Sequence, residues 1–105
     1  MTRIYLSGPM TGIEDFNFPA FHAKAAQLRE AGFDVVNPAE IQTDTTASWE
    51  DCLRQDIAEL VTCTGIHLLP GWQHSRGAKL ELHIATALNM TVTCDVQHIG
   101  WKTRR

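Results

Sequence analysis

Ser75, Arg76 and Gly77 stand directly before a stretch of helical periodicity, and Glu81 lies four residues beyond Gly77. A helix start presents N–H groups with no intrahelical partner and a partial positive charge, which suits an anion such as phosphate. A hydroxyl, a guanidinium fork and a residue without a Cβ are the types that anion would use. Four residues along a helix return to the same face, so the Glu81 carboxylate can look back toward the helix start. It would then meet a sugar whose phosphate rests on residues 75–77. The plain alternative is a helix cap at Ser75, a solvated Arg76 and an exposed Glu81. Spacing alone leaves both open.

A second segment, Ser7-Gly8-Pro9-Met10-Thr11-Gly12, follows a short apolar run. Its glycines let backbone approach a ligand, and Ser7 and Thr11 add hydroxyls. It is neither a phosphate loop ending in Gly-Lys-Ser/Thr nor the dinucleotide pattern Gly-x-Gly-x-x-Gly, and an ordinary turn fits it equally. Asp56 sits at the edge of an apolar helical face, either aimed into a cleft or solvated. Tyr5 falls inside the first strand, where a buried hydroxyl needs a partner. Trp49 and Trp72 can wall a pocket and stack on a base, or pack in a core. Of the five histidines, His74 lies nearest the candidate anion site. No Cys-x-x-Cys or His-x-x-x-His pair is present, so no metal is expected, and no cofactor is called for. Cys52, Cys63 and Cys94 read as small buried apolar residues with free thiols.

These side chains need a scaffold. Strands are expected at Ile4-Tyr5-Leu6, Phe33-Asp34-Val35-Val36, Ile66-His67-Leu68-Leu69 and Thr91-Val92-Thr93-Cys94, each closed by turn residues or a chain break in periodicity. Helices are expected between them. The first starts at Asn17-Phe18-Pro19 and shows Phe21, Ala25, Leu28 and Ala31, with Gly32 as its stop. The second follows the cap Ser48, with Trp49, Leu53, Ile57, Leu60 and Val61 on one face. The third covers residues 77–89, with Leu80, Ile84 and Leu88 toward the core. Residues 39–47, polar and Thr-rich, are expected as a loop. The alternation implies a single α/β domain over residues 1–105. We expect a Rossmann- or flavodoxin-like three-layer architecture with a four- to five-stranded, mostly parallel sheet. Ligands of such sheets bind beyond the carboxyl ends of the strands, where strand order reverses. The loops after the first three strands meet there.

Composition narrows the partners. The chain has 105 residues, 44% hydrophobic and 20% charged, with a net charge of −3. No global positive field exists to hold nucleic acid or an anionic membrane. No apolar run is long enough to span a bilayer. The first strand begins almost at Met1, which leaves no signal-peptide core. With an odd cysteine count, this points to a reducing, cytoplasmic setting. The basic residues Lys102, Arg104 and Arg105 read as a solvated tail.

The motifs Ile4-Tyr5-Leu6-Ser7-Gly8-Pro9-Met10-Thr11-Gly12, Arg54-Gln55-Asp56, Leu68-Leu69-Pro70-Gly71-Trp72 and Ser75-Arg76-Gly77-Ala78-Lys79-Leu80-Glu81 together resemble the nucleoside 2-deoxyribosyltransferase superfamily. Within it, the chain is most similar to the small phage and bacterial domains of uncharacterised function. The resemblance implies a nucleophilic role for Glu81. It implies a role for Asp56 in orienting or protonating the leaving base, and one for Tyr5 in orienting the nucleophile. Ser7, Gly8, Met10, Trp72, Ser75, Arg76 and Gly77 would bind substrate. Classic members carry an aspartate where this chain has Ser75, and relatives acting on nucleoside 5′-monophosphates carry serine there. The implied partner is therefore a small-molecule nucleotide, cleaved at its N-glycosidic bond. The resemblance also implies a homodimer or higher homo-oligomer, in which a neighbour's C-terminal segment completes the site. A non-catalytic nucleotide-binding or sensor module of the same fold is the alternative reading, and a partner-binding protein that lost the site is a third.

Overall fold

The apolar runs bounded by glycine, proline and asparagine form the strands of a parallel sheet. In the computed structural model, which describes residues 2–41 and 46–95, these are β1 (Arg3–Ser7), β2 (Asp34–Val36), β3 (Gly65–Leu68) and β4 (Thr91–Cys94). Their order is β2-β1-β3-β4, and every pairing is parallel. The helices are α1 (Phe18–Glu30), α2 (Pro38–Ile41), α3 (Trp49–Leu60) and α4 (Arg76–Ala87). The expected α/β architecture is present with four strands. The C-terminal segment from residue 96 lies outside the described residues, and so do the readings placed on it.

Alternation along the central strands divides the interior into two layers. Leu6, Val35 and Leu69 pack with Phe21 and Ala25 of α1 on one face. Tyr5, Ile66 and Leu68 pack with Leu60 of α3 and Ala85 of α4 on the other. The chain runs from β1 to β2 in one direction and returns past β1 to β3. The carboxyl ends of β1 and β3 therefore flank the reversal point.

Four expectations are corrected. Of the three cysteines read as buried, only Cys63 is; Cys52 is half-buried and Cys94 is exposed on the edge strand. Part of the presumed loop at residues 39–47 is α2. Asn37 Oδ1 accepts a hydrogen bond from the Ala39 N–H at 3.0 Å, and Pro38 occupies the first turn. Asparagine before proline is a helix start, and the threonines after it masked the signal. Of the expected core stripe of α4, Leu80, Ile84 and Leu88, only Ile84 packs against the core. Ala78, Glu81 and Ala85 are buried, whereas Leu80 and Leu88 are 39% and 52% exposed and Ile84 is only partly buried. Small residues let the helix lie close to the sheet, which turns Leu80 and Leu88 outward. On α3 the same happens to Val61, which caps the helix at 52% exposure while Asp56 and Leu60 face inward.

Ser48 caps α3 as expected, and Ser75 caps α4, which is the capping half of the plain alternative for residues 75–77. Ser48 Oγ accepts from the Asp51 N–H at 3.0 Å, and Ser75 Oγ accepts from the Ala78 N–H at 3.1 Å. The edge strand β4 is exposed throughout and is tied back by charge. Asp95 receives Lys24 Nζ of α1 at 2.7 Å and lies 3.0 Å from His67 Nε2. Burial alone would push the Asp95 carboxyl up, but Lys24 and His67 outweigh it and hold it below the usual range. Between β1 and α1, Asp15, Phe16 and Asn17 all take left-handed φ values of 54°, 52° and 61°. Such conformations are costly for residues with a Cβ. Asn17 Nδ2 steadies the turn by donating to the Pro9 carbonyl at 3.0 Å.

Candidate active site

Tyr5 and Ser7 are two apart on β1, so both side chains point to the α3–α4 face. There they meet Glu81, which the small-residue face of α4 carries inward to 5% exposure. The Tyr5 hydroxyl donates to Glu81 Oε2 at 2.8 Å, and the Ser7 hydroxyl donates to Oε1 at 2.6 Å. Burial pushes the Glu81 carboxyl up to about 7. The bonds from Ser7 and Tyr5 oppose this, and the charge of Asp56 adds to it. Tyr5 is pushed well above 10, first by burial and then by the carboxylate beside it, so it remains a donor at neutral pH.

These groups open into a cavity of about 700 Å³ at the reversal point of the sheet. From β1 and its loop come Tyr5, Ser7, Gly8 and Met10. Asp56 enters from α3, and Ser75, Arg76, Gly77 and Glu81 enter from the start of α4. Gly8 has a structural task as well, since a Cβ there would stand 2.8 Å from Leu69 Cβ and push β1's loop off the end of β3. Ser75 caps α4 as an acceptor and keeps its own O–H proton to donate. The N–H groups of Arg76 and Gly77 belong to the first turn, which helix geometry leaves without intrahelical acceptors. The cavity thus pairs a donor-rich, cationic end with a buried carboxylate one turn deeper.

Trp72 is placed elsewhere. It packs partly buried against the α3–α4 core and is absent from the cavity wall, which corrects its expected binding role. The 3-10 turn over Trp72–His74 rolls its indole inward and leaves His74 on the wall. Trp49 does line the cavity, but one ring face is occupied: the Arg76 guanidinium carbon sits 3.7 Å from the ring centroid. The aromatic wall that the motifs did not reveal is Phe16, Phe18 and Phe21. Phe16 is 57% exposed, and its ring lies 5.9 Å from that of Phe18. Three phenylalanines within six residues, just after the first glycine-bearing loop, were the available signal. Among the described residues, no group of three His, Cys, Asp or Glu side chains is arranged to hold a metal ion. No described helix is long and apolar enough to cross a membrane.

Among curated proteins no match is found. Among solved structures, the chain is similar to a 2-desoxiribosyltransferase from Leishmania mexicana. The TM-score is 0.70 and the identity 16%, and the match covers 97% of this chain and 71% of that one. At that identity the likeness shows a shared fold. A family model described as "Domain of unknown function (DUF4406)" matches residues 2–94, and the chain belongs to that family.

Proposed function

We propose that the protein cleaves the N-glycosidic bond of nucleoside 5′-monophosphates, as a glycosidase or a deoxyribosyltransferase-like enzyme. The observation that carries this reading is the buried Glu81 carboxylate, gripped by Tyr5 and Ser7 and facing a cavity whose far end is the start of α4. The fold shared with a 2-desoxiribosyltransferase supports it. The phosphate would rest on Ser75, Arg76 and the first amides of α4, which brings C1′ of the sugar to Glu81. A Glu81 oxygen attacks C1′ as the C1′–N bond breaks, through an oxocarbenium-like transition state. The bonding pair leaves with the base, which Asp56 orients or protonates. Water then attacks C1′ of the glycosyl ester and restores the carboxylate, or a second base takes the sugar in its place. The Phe16–Phe18 wall would lie along the base.

The test is release of free base from a panel of nucleoside 5′-monophosphates and free nucleosides. Wild type is expected to release base from at least one monophosphate, and Glu81→Ala to lose that activity by several orders of magnitude. Equal release by both would remove Glu81 from the chemistry. Nucleotide affinity by calorimetry without any base release would favour the binding-module reading.

A further inference from the structure

We infer that Ser7 is a positioning residue for the Glu81 carboxylate rather than a contact for the substrate. The inference rests on the nucleophile reading above and adds a second clamp to it. Ser7 is 1% exposed, and its hydroxyl proton is committed to Glu81 Oε1 at 2.6 Å, while Tyr5 holds Oε2 at 2.8 Å. One strand therefore grips both oxygens of a carboxylate that arrives from a helix on a long, rotatable stem. The clamp fixes the plane of the carboxylate, and a fixed approach geometry is worth far more to a displacement than mere proximity. Each carboxylate oxygen has about two acceptor sites. One hydroxyl on each oxygen leaves one lone pair per oxygen for C1′.

The same bond controls protonation. A hydrogen bond to the charged form of an acid favours that form. Around Glu81 the opposing influences are burial and the negative charge of Asp56 from α3. Tyr5 from β1 acts with Ser7, and Arg76, His74 and Cys52 line the same cavity. Ser7 thus holds a deeply buried nucleophile within reach of its ionised state at neutral pH. On formation of the glycosyl ester the unbonded oxygen becomes a carbonyl and still accepts from its hydroxyl. The clamp can therefore persist through both halves of the reaction.

Ser7→Ala, Ser7→Cys and Ser7→Thr separate this role from a structural one. The first readout needs no substrate: the ionisation of the Glu81 carboxyl, followed by carbon-13 NMR of glutamate-labelled protein. Removing a hydrogen bond to a charged group should move the midpoint upward by roughly 1 unit in Ser7→Ala. Ser7→Cys, close in size but a weak donor, should move it in the same direction, and it decides the matter if Ser7→Ala does not fold. Ser7→Thr, which keeps the hydroxyl, should restore the midpoint. The second readout is the acidic limb of kcat/KM on whichever monophosphate is cleaved. It should shift upward with the NMR midpoint while KM stays within about twofold. An unmoved Glu81 midpoint, or a raised KM with an unmoved limb, would overturn the inference. Absence of turnover in wild type would sink the proposed reaction, and the NMR titration would still decide the role of Ser7.

Discussion

Glu81 carries a cost that follows from where it sits. Its carboxyl is raised from 4.5 to about 7, chiefly by burial. Below pH 4.5 it is neutral whether the chain is folded or not, and burial of the charge costs nothing. As pH rises from 4.5 to about 7 the unfolded chain ionises while the folded one stays protonated. Stability is lost across that window and stays lost above it. The difference is on the order of 3 kcal/mol. Glu81→Gln removes the charge and should melt several degrees above wild type at pH 8, with the gap closing toward pH 4. Thermal melts across that range check it, and a Gln variant less stable than wild type at pH 8 would contradict it. At this scale the sequence was only partly legible. Glu81, Asp56 and Tyr5 were visible as residue types at suggestive spacings. That Ser7 would donate to Glu81 could not be read from a loop motif, because it depends on a contact between residues far apart in the chain.

Elements decide which side chains reach the cavity. The starts of α3 and α4 lie side by side, and Trp49 from one meets Arg76 from the other at 3.7 Å. A cation on an aromatic face is worth about 0.5–1 kcal/mol at exposed sites. Trp49→Leu should therefore raise KM for a nucleoside 5′-monophosphate by roughly two- to fivefold and leave KM for the free nucleoside unchanged. Steady-state kinetics on the pair check this, and equal rises on both substrates would show that Trp49 holds the base instead of the arginine. The long helices α1, α3 and α4 were readable from caps and periodicity, with Ser48 capping where its type suggested and Ser75 doing so as one of two open readings, whereas α2 was not. Nor was the rotation of α4. Leu80, Ile84 and Leu88 form as regular a stripe as Ala78, Glu81 and Ala85. Hydrophobicity favours the leucines, yet close packing on the sheet selects the small residues and carries Glu81 in with them. The aromatic wall escaped for a related reason, since the left-handed turn at Asp15, Phe16 and Asn17 has no glycine to announce it.

At the scale of the molecule, topology does most of the placing. The order β2-β1-β3-β4 puts the reversal point between the central strands, and the loops after β1 and β3 share the cavity with α3 and α4. The meeting of the loops at the carboxyl ends followed from alternation of strands and helices, before any side chain was considered, whereas the strand order did not. The proposed reaction makes one chemical demand of the whole assembly: a covalent bond between Glu81 and the anomeric carbon of a phosphorylated sugar. It can be sought directly by intact-protein and peptide mass spectrometry after incubation with a 2-fluoro-2-deoxy nucleoside 5′-monophosphate. The fluorine beside C1′ destabilises the oxocarbenium-like state, and with a good leaving base the adduct accumulates. A mass gain equal to the fluorinated sugar phosphate less one water, located on the peptide holding Glu81 and absent in Glu81→Gln, is the expected result. Base release from the natural substrate with no adduct, or with an adduct on another residue, would contradict it.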